Sequence, residues 1–251
     1  MLTYLFLTIV GFAAGVMNAV AGGGMLVVFP ALIAVGLPPV VANATSNLAV
    51  IAGVFTSAAE NYKNIRKLPR KYFLLIIPSA VGALLGAILL KNTSHTTFKH
   101  LAPYFILSAV ILLAIEPFLN RHLQKRRKAL ARKHFNAMLI CIGLLVLILA
   151  VYGGYFGAGF GIAILALLGL TSIKTIYQMN GMKNILGATA LTVSLIYLAH
   201  NGLVNWHYGF LVLGGNVVGG FTGAYYAQRL PAATIRGIVI TIGLIAAALI
   251  H

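Results

Sequence analysis

Charge is confined to a few short stretches of this 251-residue chain. Between them the apolar runs last roughly 17 to 20 residues, the length at which a helix rising 1.5 Å per residue covers a hydrocarbon core about 30 Å thick. Only 8% of the residues are charged and 61% are hydrophobic, whereas a soluble domain carries roughly 25% charged residues to solvate its surface. The chain therefore reads as an all-α polytopic integral membrane protein.

A formal net charge of +16 raises the question of nucleic acid, and the placement of the cations answers it. They sit in linkers between apolar runs, one cluster spanning Asn61 to Lys71 and another of seven Lys and Arg spanning Arg121 to Lys133. That is the pattern of cytoplasmic loops under the positive-inside rule, with anionic headgroups as their partners. The expectation is a multi-pass protein of the inner membrane that contacts lipid and no nucleic acid. Met1-Leu-Thr-Tyr lacks the basic segment of a cleaved leader, so the first apolar run counts as part of the working chain. Cys141 is a lone cysteine inside an apolar run, read as a small core residue.

Apolar segments fall at about 2–20, 25–37, 40–59, 72–90 and 101–119, then at about 136–152, 160–170, 184–200, 206–227 and 233–250. Two sets of five result, an N-terminal repeat 1–119 and a C-terminal repeat 136–251 joined by the basic linker 120–135. One offset of 137 residues carries Gly82 and Gly86 onto Gly219 and Gly223, and Asn43 and Asn47 onto Asn180 and Asn184. The glycine pairs read as small-residue packing faces between helices.

The second segment of each set is too short to span, residues 25–37 giving about 20 Å. Either extended glycines lengthen it into a broken crossing or it is re-entrant. Five crossings per half put both termini outside and leave only Lys91 and Lys99 outside among the 18 Lys and Arg. Four crossings put the termini inside and divide the same cations 12 to 6. The range is eight to ten crossings, and an odd number per repeat makes the halves inverted, as in many secondary transporters.

The acidic inventory excludes most enzyme chemistry. There is no Asp, and Glu60 and Glu116 are the only Glu, so neither a carboxylate pair nor a Ser-His-Asp triad can be assembled. No Gly-x4-Gly-Lys-Ser/Thr loop is present to bind ATP. His95 and His100, five apart, share no helix face, and both this pair and His200 with His207, seven apart, fall in expected interfacial loops and read as interfacial side chains. No catalytic residue, metal ligand or cofactor is assigned.

The glycine breaks carry the functional signal. Irregular backbone at membrane depth needs protein or a water-filled cavity to satisfy its amides. A helix restarting after Gly22-Gly23-Gly24, or after Gly157-Ala-Gly159-Phe-Gly161, aims its free N–H groups and positive dipole end into such a cavity. Close helix packing is the structural alternative. Asn43/Asn47 and Asn180/Asn184 each project from one helix face, as ligand contacts or as interhelical bonds. Thr45 and Ser46 lie between the first pair, and Lys183 takes the position equivalent to Ser46. A fixed cation there suits an anionic solute. The reading is gradient-driven passage of a small anion by alternating access between the two repeats. The alternatives are an anion channel or uniporter and, from another class, an intramembrane enzyme. Homo-oligomerisation stays open.

Several of these segments together resemble a known family. Gly15-Val-Met-Asn-Ala-Val-Ala-Gly-Gly-Gly24, Gly36-Leu-Pro-Pro39, Ala42-Asn-Ala-Thr-Ser46 and Asn180-Gly-Met-Lys-Asn-Ile-Leu186 are similar in order and spacing to the TauE/SafE sulfite exporters, over nearly the whole chain. The resemblance implies a secondary carrier of sulfite, a sulfonate or a related organic anion. Gly157-Ala-Gly-Phe-Gly161 departs from it in being less purely glycine than the first triplet.

Overall fold

The computed structural model describes residues 1–20, 23–60, 62–126, 135–171, 173, 175–226 and 232–250. The described chain is helical and contains no strand. In order, the helices are α1 (Leu2–Val20), α2 (Met25–Ala34), α3 (Pro39–Glu60), the short α4 (Tyr62–Ile65), a 3-10 turn (Arg70–Leu75), α5 (Ile76–Asn92), α6 (His95–Arg126), α7 (Phe135–Tyr155), α8 (Phe160–Leu168), α9 (Ile176–His200), α10 (Trp206–Tyr226) and α11 (Ala232–Ile250). Among the described residues four helical stretches are long and apolar enough to cross a membrane: Pro39–Ala59, Arg70–Asn92, His95–Ile115 and Tyr177–His200. The outer faces carry exposed Leu5, Ile9, Leu85, Leu89, Ile111, Leu144, Ile148 and Phe221. On a soluble protein such faces would aggregate, whereas in a bilayer they meet lipid.

Contacts between helices fix their directions. Gly11 lies against Val212, Gly15 against Asn216 and Gly220, and the Tyr4 ring meets His207 at 5.2 Å, so α1 and α10 run parallel. Thr45 and Leu48 lie against Gly209 and Gly53 against Asn216, which makes α3 parallel to α10 as well. Because α1 and α3 share a direction, α2 runs back between them, and α1 with α2 forms an antiparallel hairpin. Between the halves α5 and α7 also run parallel, with Gly82 beside Leu147 and Gly86 beside Val151 and Tyr155. In the second half α8 turns back on α7 as α2 does on α1.

Neither hairpin extends the full length of its neighbours. Asn18 at the end of α1 lies beside Gly53, fourteen residues into α3 and so about 21 Å along a helix about 33 Å long. Gly154 near the end of α7 accepts a hydrogen bond from Ser194 Oγ at 3.1 Å, about 27 Å along α9. The two tips touch, since a methyl group on Gly157 would stand 3.0 Å from Met25 Sδ.

Gly82, Gly86 and Gly219 do the packing expected of them. A methyl on Gly86 would strike the Val151 carbonyl oxygen, and one on Gly219 the Phe12 carbonyl oxygen. Gly154, Gly11 and Gly15 supply matching small surfaces from α7 and α1, letting backbones approach where dispersion is the main attraction in lipid.

Two expectations need correction. Cys141 is exposed on α7 and not in the core, because α7 is apolar all round and apolarity alone does not say which face meets lipid. The eighth segment, helix α9, begins at Ile176, eight residues before the apolar run at 184. Thr175 caps it, its Oγ1 accepting from the Gln178 N–H at 3.2 Å. Gln178, Asn180 and Lys183 had hidden this first part of the helix by being polar.

Candidate functional site

A cavity of about 600 Å³ lies where the two hairpin tips meet α3 and α9. It is lined by Gly23 and Gly24 from the first break, Gly157, Gly159 and Gly161 from the second, and Asn180, Lys183 and Asn184 from α9. Eight of the sequence-derived site residues therefore share one wall system. Asn18, Ser57, Asn64 and Tyr177 also line it.

The breaks are shaped by backbone that side chains rarely tolerate. Gly157 and Gly159 hold φ of 85° and 79°, the left-handed region that glycine enters without a Cβ penalty. They turn the chain so that α8 starts at the cavity, and no side chain caps its N-terminus. Gly24 ends the first break, and no side-chain oxygen caps α2. Instead Asn18 Oδ1 accepts from the Gly24 N–H at 2.8 Å and braces the turn. At the second break Tyr152 plays a matching part, its hydroxyl donating to the Ala158 carbonyl at 2.6 Å. Each brace comes from six residues before the backbone group it holds.

Positive potential gathers on one side. The stem of Lys183 passes over the start of α8, a methyl on Gly161 standing 3.7 Å from Lys183 Cδ. An ammonium thus shares a wall with a helix N-terminus that carries roughly half a positive charge of its own. Asn184 is 7% exposed and faces the cavity, and its amide finds no hydrogen-bond partner among the described residues. A buried amide left in this state is costly unless a solute or water completes it.

The first-half residues lie elsewhere. Asn43, Thr45, Ser46 and Asn47 are fully buried and do not belong to the lining. Asn43 Nδ2 donates to the Tyr155 carbonyl at 2.8 Å, Asn47 Nδ2 to Ser194 Oγ at 3.3 Å, and Ser46 Oγ to the Ala42 carbonyl at 2.8 Å. Thr45 Oγ1 accepts from the Asn205 N–H at 3.0 Å. Gly22 lies outside the described residues. Sequence reasoning missed Asn18, although an amide in an apolar run just ahead of a glycine triplet was a usable signal. Ser57, Asn64 and Tyr177 gave none, since only the fold brings them to the mouth.

A helical bundle with exposed apolar faces around a polar, glycine-broken cavity is the build of a multi-pass membrane transport protein. The comparison with known families agrees: residues 7–250 match the model described as Sulfite exporter TauE/SafE, and the chain belongs to that family. A probable membrane transporter protein of Haemophilus influenzae is 28% identical over 236 residues, covering 92% of this chain and 88% of the relative. Another from Sinorhizobium is 25% identical over 248 residues, covering 95% and 88%. The probable membrane transporter protein YfcA of Escherichia coli is 27% identical over 228 residues, covering 88% and 78%. No solved structure matches the chain.

Proposed function

We propose that this protein is a secondary carrier of the inner membrane that moves a small anion, sulfite or an organosulfonate, by alternating access between two inverted repeats, 1–119 and 136–251. The observation that carries the reading is the convergence of two helix N-termini without side-chain caps, Lys183 and the Asn184 amide on one cavity. Anions are what such donors stabilise. A volume of about 600 Å³ falls among sites that hold small organic molecules, roughly 300–1,000 Å³, so a sulfonate fits as well as a bare oxyanion.

The packing supports the repeats. Under the sequence offset α1 corresponds to α7 and α5 to α10, and the two parallel contacts α1 with α10 and α5 with α7 exchange with each other. The counterparts α3 and α9 cross antiparallel, Asn47 meeting Ser194 and Val54 meeting Gly187, in keeping with inversion. Asn64 and Tyr177 at the cavity mouth lie beside the cations of 63–71, so the mouth faces the cytoplasm under the positive-inside rule.

Flux of labelled sulfite or a small sulfonate into proteoliposomes, with and without an imposed pH gradient, tests the function. Saturable uptake at carrier rates supports it, rates far above them indicate a channel, and substrate conversion without flux indicates an enzyme. The orientation has its own test. A cysteine replacing Asn64, in a Cys141→Ala background, is expected to resist impermeant thiol reagents in intact cells and to react in inside-out vesicles; the reverse pattern turns the topology over.

A further inference from the structure

The central helices α3 and α9 cross antiparallel, and contacts at two levels fix the register of the crossing. Asn47 Nδ2 donates to Ser194 Oγ at 3.3 Å. Further along, Val54 lies against Gly187, where a methyl on the glycine would stand 3.6 Å from Val54 Cγ1. Three residues beyond Val54 is Ser57, and three residues before Gly187 is Asn184. Residues three apart share a helix face, so the crossing sets Ser57 opposite Asn184 as it sets Asn47 opposite Ser194. The repeat gives the same pairing independently, since Asn47 and Asn184 stand 137 residues apart, and so do Ser57 and Ser194.

The two ends of the crossing are in opposite states. At the first end Asn47 and Ser194 are buried at 1% and 0% exposure, and Ser194 Oγ donates onward to the Gly154 carbonyl at 3.1 Å. Asn43 holds the Tyr155 carbonyl beside it. These bonds tie α3 and α9 to the tip of the α7–α8 hairpin, and Phe29, Phe98, Phe105 and Phe156 pack behind them with ring centroids 5.3 to 6.3 Å apart. At the second end Ser57 and Asn184 both line the cavity, and the Asn184 amide has no hydrogen-bond partner among the described residues. The closed end is also imperfectly satisfied. Asn43 Oδ1 and Asn47 Oδ1 are buried without a hydrogen bond, a standing cost that a permanent brace would have no reason to keep.

We propose that Asn47–Ser194 and Ser57–Asn184 are two alternating gates of one carrier. The first is shut in this structure and the second shuts, with Asn184 Nδ2 donating to Ser57 Oγ, when the cavity opens on the other side. This rests on the alternating-access reading above and adds the bond that changes hands. Each asparagine then has two duties in turn, meeting the solute when its side is open and its serine when its side is closed.

Cross-linking tests the exchange. In a Cys141→Ala background with a protease site in the 127–134 linker, Asn47→Cys/Ser194→Cys and Ser57→Cys/Asn184→Cys are reconstituted in liposomes and oxidised. Halves that stay joined after proteolysis and separate on reduction report the bond. Both pairs are expected to cross-link, at rates within about tenfold of each other if both states are well populated. Ser57→Ala is a milder probe: losing one gate bond should slow anion flux about fivefold while equilibrium affinity stays within about twofold. If the wild type moves no anion yet both pairs cross-link, the anionic substrate of the proposed function fails and the gates stand. If anion flux is normal and the Ser57/Asn184 pair never cross-links while Asn47/Ser194 does, or Ser57→Ala leaves flux unchanged, the gate proposal is overturned and the carrier reading stands.

Discussion

Lys183→Gln is expected to weaken anion binding by about a hundredfold, a few kcal/mol, with the fold intact. The substitution nearly keeps length and hydrogen-bonding capacity, and removes a full charge from a half-buried place in the cavity wall. The charge matters more here than on a surface, because the wall limits the water that would screen it. It also stands beside the N-terminus of α8, whose dipole has the same sign, so an anion between them gains from both. Lys183→Arg should retain most of the affinity. Thermal shift against sulfite, sulfate, thiosulfate and small sulfonates gives the readout, since a ligand of the native state raises the transition temperature by mass action. Affinity of Lys183→Gln within about twofold of wild type would show that the ammonium serves elsewhere.

The membrane class was legible because lipid leaves a chain few options. Every backbone polar group must be satisfied inside the segment, so a long uncharged run is a helix or nothing. The short second segment of each half was also legible, and α2 and α8 keep nearly the bounds expected of them. What the runs could not convey was direction. Whether residues 25–37 lengthen into a crossing or turn back depends on where Gly53 and Asn18 meet, a contact between residues 35 apart. The first two turns of α9 were obscured for a related reason: a helix that lines a polar cavity loses its apolar signature where it does so.

The site was legible in part, and the division follows the asymmetry of the state. Repetition in sequence treats Asn43/Asn47 and Asn180/Asn184 as equals, whereas one conformation of the alternating carrier proposed above cannot. The structure has Asn184 facing the cavity and Asn47 sealed against Ser194. Sequence alone names the four amides without saying which pair is open. Lys183 breaks the symmetry in composition, since Ser46 holds its place in the first half, so in the proposed cycle the two ends need not bind the solute equally well.

Gly86→Ala is expected to destabilise the protein by about 1–3 kcal/mol, read as a lowered thermal transition in detergent, although helix propensity argues for the opposite sign. In a helix interior alanine is favoured over glycine by roughly 1 kcal/mol. Against this, the new methyl would strike the Val151 carbonyl oxygen and stand 2.7 Å from the Tyr155 backbone nitrogen. Both are backbone atoms of α7, which cannot swing aside as a side chain can. The two helices must move apart, and every neighbouring contact along their shared face loosens with them. Gly215→Ala should behave alike, because its methyl meets the Thr8 carbonyl oxygen of α1. Gly214 supplies the control one residue away. A methyl there finds nothing within 4 Å, so Gly214→Ala should leave the transition unchanged or raise it by propensity alone. A larger loss for Gly214→Ala than for Gly86→Ala and Gly215→Ala would mean that these glycines are not what holds α5 to α7 and α1 to α10.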